Sequence, residues 1–167
     1  MLSFVPVAEV SFYSVVLFFH IMAVILAFGP TYSYGLFFAM AGRDPRALPA
    51  VANAVVAWNR VGTTGGVILA IITGLYLTDD LWSFGDFFVV WGMLAVIVLL
   101  GLVHGFFIPR TRRLGELAEA DIAASGAGEV KLSEETQQVA KSLGTVGPIA
   151  GVLVLLTVYF MTAKPFL

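Results

Sequence analysis

Two side chains in this sequence titrate near neutral pH and can also ligate a metal: His20 and His104, its only histidines. His20 lies inside VVLFFHIMAVILAFGP, Val15 to Pro30, a run otherwise suited to lipid. An ionisable group in such a run is a functional-site candidate, either as a ligand or as a proton carrier. The alternative is a histidine hydrogen-bonded to a neighbouring helix. His104 lies between Gly101 and Gly105, where a second helix can approach closely. The chain has no Cys, which excludes disulfides, thiolate metal sites and thioether-bound haem.

The elements that carry these residues follow from composition. Of 167 residues 59% are apolar and only 12% charged, where a soluble domain carries about 25% charged residues. A chain this size cannot hide that much apolar surface in its own interior, so the lipid bilayer is its solvent. A spanning helix needs about 20 mostly apolar residues. Four runs meet this: about 10–40, 61–78, 86–108 and 143–163. The first is expected to kink at Gly29-Pro30, and Ala47–Asn59 prolongs the second backwards. The expected fold is all-α, a single domain forming an antiparallel four-helix bundle in the membrane. Residues 110–142 form a polar connector, with a helical extension of span three, a break at Ser125 to Gly128 and a short helix capped by Ser133. Met1 to Phe4 carry no basic leader, so the first run reads as a retained span.

Basic residues set the expected orientation. Arg43, Arg46 and Arg60 lie on the span 1–2 side, and Arg110, Arg112, Arg113, Lys131 and Lys141 on the span 3–4 side. The opposite side has Lys164 beside Glu9, Asp79, Asp80 and Asp86. This predicts both termini outside and the two basic connectors in the cytoplasm, with Trp58 and Trp82 near opposite interfaces. Net charge of −2 gives no indication of nucleic-acid binding.

Helix rise then provides a depth ruler. With outer edges near Ser14 and Phe87, His20 lies about 9 Å and His104 about 25 Å below the surface. A haem bridging the two is disfavoured. Met93 falls at the depth of His20, and a His/Met pair is an accepted axial set for haem b, although Met is also a common filler of apolar cores. Met22, two residues from His20, points about 200° away. At the depth of His104 the ruler gives Thr31, Tyr32 and Arg60, with Asn59 and Thr63 beside them. Such a cluster suits an anionic headgroup, haem propionates or a quinone carbonyl; alternatively, Arg60 simply reaches the inner phosphates. Thr63-Thr64-Gly65-Gly66 lacks the phosphate-loop pattern, and no span holds a pair of carboxylates for acid–base work.

LFFHIMAVILAFGP, the Arg60-bearing start of span two, IPRTRR after span three and the terminal FMTAKP together resemble a bacterial family of four-span integral membrane proteins, domain of unknown function twenty-two sixty-nine. The resemblance covers nearly the whole chain. The His-bearing first helix is more distantly similar to protoporphyrinogen-oxidase-type and copper-resistance D-type membrane proteins. That similarity implies a haem-ligand (metal-binding) role for His20 alone. A counterpart of the Lys-bearing motif of those oxidases is not visible, so the oxidase activity does not carry over.

The expected function is a b-type haem-binding redox or sensor protein of the bacterial inner membrane. The candidate cofactor-binding residues are His20, Met93, His104, Arg60, Tyr32 and Asn59. Two alternatives are an accessory subunit of a larger membrane complex and a small permease or lipid-handling protein acting as a homo-oligomer. No catalytic constellation is visible.

Overall fold

The computed structural model describes residues 11–166, and among them all regular structure is helical. Four rods form it. The first is α1 (Phe12–Phe28) followed by α2 (Thr31–Ala41). The second joins a 3-10 turn (Pro45–Ala47), α3 (Leu48–Trp58), a π turn (Asn59–Thr63) and α4 (Thr64–Leu81). The third joins α5 (Phe87–Leu102), a π turn (Val103–Phe107) and α6 (Ile108–Ser125); the fourth is α7 (Glu134–Ala163). The expected start of span one at Val10, and the reading of Met1 to Phe4, lie outside the described residues.

Local chemistry sets the boundaries. Ser11 caps α1 by accepting the Ser14 N–H at 3.2 Å, and Ser133 caps α7 by accepting that of Thr136 at 3.3 Å. Between α1 and α2 the Gly29 N–H still bonds the Ile25 carbonyl, but Pro30 has no N–H and the chain restarts at Thr31. A Cβ at Gly29 would sit 2.6 Å from that carbonyl oxygen, so only glycine fits. The Ser133-capped helix is not short: it runs unbroken into span four.

The π turns also have visible causes. Pro109 lacks an N–H and would press on the Gly105 carbonyl in a regular helix. The chain widens there, and the Ile108 N–H bonds the Val103 carbonyl five residues back. In the second rod the Thr64 N–H likewise reaches the Asn59 carbonyl, and the Thr64 hydroxyl donates to the same oxygen at 2.8 Å.

Short connections make successive rods antiparallel. α1 packs along α4, α3 along α6 and α5 along α7, while α2 touches both α3 and α7 and so closes the ring. Gly66 permits a close approach of backbones: a Cβ there would lie 2.8 Å from the Ala23 carbonyl oxygen and 3.0 Å from Ala27 Cβ. Ala27, Phe28, Val67, Leu99, Ala150 and Val154 form one core. Ala41, Leu48, Leu114 and Ala118 form another, nearer the basic connectors. Phe18, Ile25, Ile72, Ile97 and Leu155 are exposed on the outside of the rods, a surface that requires acyl chains around it. The chain is therefore a membrane-spanning bundle with four candidate spans.

Candidate functional site

His20 on α1 faces α4. Its Nδ1 lies 3.0 Å from the Thr73 hydroxyl oxygen. Thr73 has one hydroxyl proton and donates it to the Leu69 carbonyl at 2.7 Å. At His20 it must therefore accept, which assigns the proton to Nδ1 and the lone pair to Nε2. The neighbouring Gly74 lets the ring lie against the α4 backbone: an added Cβ would be 3.1 Å from His20 Cε1. An imidazole held by its Nδ1–H, with Nε2 free, is the form in which histidine binds metals. The chemistry of this donor would suit one bond to a metal ion.

Met93 lies on α5, a helix that packs mainly on α7, and its side chain is 43% exposed on the outer surface. His104 is exposed and bonded to α4: its Nε2 is 3.1 Å from the Thr64 hydroxyl oxygen. Thr64 donates to the Asn59 carbonyl, so His104 carries its proton on Nε2, the opposite tautomer to His20. The two histidines meet α4 nine residues apart, at Thr73 and Thr64, which separates them by about 14 Å in depth.

The polar residues placed near His104 by depth divide into two groups. Asn59 is buried and its Oδ1 lies 3.2 Å from the Thr63 hydroxyl, which donates to the Ala27 carbonyl at 3.0 Å. The Tyr32 hydroxyl donates to the Gly151 carbonyl at 3.1 Å, tying α2 to α7. These groups hold helices together. Arg60 is exposed, one helical turn from Thr64 on the side of the basic connectors. A cleft of about 570 Å³ lies between α2 and α3, lined by Tyr34, Phe37, Val51, Val55 and Trp58 among others. The Tyr34 hydroxyl is buried and has no hydrogen-bond partner among the described residues.

Thr73 and Gly74, the partners of His20, were not among the residues picked from sequence. The same ruler could have found them: counting six residues inward from Asp79, at the outer end of span two, reaches Thr73.

The two ends of the bundle are tied separately. Trp82 Nε1 donates to the Tyr13 hydroxyl at 3.3 Å, and the Lys164 ammonium lies 3.7 Å from the centre of the Trp82 ring. On the side of the basic connectors Arg46 donates to the Gly126 and Gly128 carbonyls at 2.7 and 3.0 Å. Asp121 accepts from the Thr136 hydroxyl at 2.6 Å and from the Ser133 N–H at 2.9 Å. The Thr136 hydroxyl, followed by the Ser133 N–H, holds the Asp121 carboxyl below the usual carboxylate range.

A closed ring of four long apolar rods with polar ties at both ends defines an integral membrane helical bundle. The chain belongs to the family described as "Predicted integral membrane protein (DUF2269)", whose model matches residues 14–165. No curated protein and no solved structure matches it.

Proposed function

We propose that this protein binds haem b in the membrane, with His20 as axial ligand through Nε2, and serves as a redox or sensor protein. The observation that carries this reading is the Thr73 hydroxyl, which donates to Leu69 and therefore accepts the His20 Nδ1–H. A bound haem would supply one-electron chemistry or ligand sensing. The chain's own part is to fix the imidazole plane and tautomer, to keep Nε2 basic and to exclude water with apolar rods. Met93 matches His20 in depth but is exposed on a helix that packs on α7, so His20 is the residue that would hold the haem, and Arg60 and His104 are candidates for anionic or polar groups at the inner end. We further place the protein in the bacterial inner membrane, termini outside, with the basic connectors cytoplasmic.

The test is the full chain purified in detergent from haem-supplied cells. Haem is expected to copurify with a Soret band, and His20→Ala is expected to lose it while the protein elutes unchanged from a sizing column. A colourless wild-type protein, or a His20→Ala protein with an unaltered band, overturns the reading.

A further inference from the structure

The second and third rods meet at the level of their π turns in a way that exposes an unpaired cation. Ala52 faces Gly115, Val56 packs with Val103 and Ile108, and Thr64 bonds His104. This register sets Arg60 at about the level of Phe106. The Arg110 guanidinium lies 4.0 Å from the centre of the Phe106 ring. On this side Arg112 pairs with Glu116, Arg113 with Glu135, and Arg46 with two carbonyls, while Arg43, Lys131 and Lys141 on the connectors have no carboxylate partner among the described residues. Arg60 and Arg110 have no carboxylate partner among the described residues. An arginine this close to the apolar part of a span needs an anion or reaches the phosphate layer.

The surface beside it has room for a chain. A Cβ added at Gly65, Gly101 or Gly105 would meet nothing within 4 Å, so no helix of this bundle covers that face. Val61, 78% exposed, and Ile97, 66% exposed, extend it with apolar surface. His104 offers one more polar atom. Thr64 accepts its Nε2–H, which leaves the Nδ1 lone pair free to accept from a hydroxyl.

We propose that this face is a binding site for an anionic phospholipid with a hydroxyl-bearing headgroup. Its phosphate sits on Arg60, its headgroup hydroxyl donates to His104 Nδ1, and an acyl chain lies along Gly101 and Gly105. The charge complementarity is local, in the leaflet that borders the basic connectors. The site lies about two and a half turns of α4 from His20 and does not depend on the haem reading.

Native mass spectrometry of the full chain in detergent, titrated with phosphatidylglycerol, phosphatidylcholine or inorganic phosphate, tests it. Phosphatidylglycerol is expected to be retained about fivefold or more over phosphatidylcholine, and Arg60→Gln to remove that preference. Gly105→Leu, which meets no neighbour within the bundle, is expected to weaken retention of phosphatidylglycerol while leaving the melting temperature unchanged. Equal retention of the two lipids overturns the proposal. So does a wild-type preference in Arg60→Gln, or displacement of phosphatidylglycerol by inorganic phosphate alone.

Discussion

At the scale of single residues the account turns on two threonines that donate to their own helices and so fix the tautomers of two histidines. His20, half-buried, carries its proton on Nδ1, whereas His104, exposed, carries it on Nε2. Thr73→Val removes the acceptor for the His20 Nδ1–H. Loss of an outer-shell partner of this kind typically weakens metal affinity about 10–100-fold. We expect haem to dissociate from Thr73→Val more readily by about that factor, with Thr73→Ser restoring retention; haem transfer to apomyoglobin measures it. Unchanged transfer rates would mean that Thr73 does not position the ring. The candidacy of His20 was legible in the sequence because an imidazole in an apolar run has few uses. Its partner was less visible, because a threonine in a transmembrane helix most often bonds its own backbone, as Thr73 also does.

At the scale of elements, small residues decide which rods touch. Gly66 meets α1 at the Ala23 carbonyl, with no gap for a side chain. Gly66→Val is expected to destabilise the bundle by about 1–3 kcal/mol or to displace α1, read as a lower midpoint of unfolding in detergent. Gly65→Val, on the open face, is the control and should change little. The sequence suggested a close helix approach at Gly101 and Gly105, yet nothing among the described residues covers them; which glycines are covered depends on helix rotation, and two π turns alter the rotation of the second and third rods. Pro109 accounts for one of these turns; the other has no proline. Asp121 governs the turn between α6 and α7. Its folded carboxyl is held low, so it contributes stability above the usual carboxylate range, and that contribution is lost as pH falls through the depressed value. Hydrogen-exchange protection at residues 126–136, taken relative to the intrinsic rate at each pH, should therefore fall on strong acidification. In Asp121→Ala it should be low already at neutral pH, and the acid step should vanish.

At the scale of the whole molecule, the second and third rods of 37 and 39 residues are about 55–60 Å long, nearly twice the hydrocarbon thickness. The bundle therefore continues beyond the membrane on the side of its basic connectors, with a core of its own around Leu48 and Leu114. Hydropathy located the four spans because lipid imposes a strong length rule. It did not show how far the helices continue, since in water helix ends are set by caps such as Ser133 and turns such as Gly126, whose φ is +57°. The orientation has a direct test, helped by the absence of native cysteines. A single Cys at Lys131 in intact cells should resist a membrane-impermeant maleimide, and one at Lys164 should react; the reverse pattern would invert the proposed topology. The central claim is that His20 presents its Nε2 to a haem. The most direct measurement is the reduced-minus-oxidised absorption spectrum of the purified full chain beside that of His20→Ala. The account predicts b-type bands in the first and none in the second; a featureless wild-type spectrum despite haem supply, or identical spectra from the two, would contradict it.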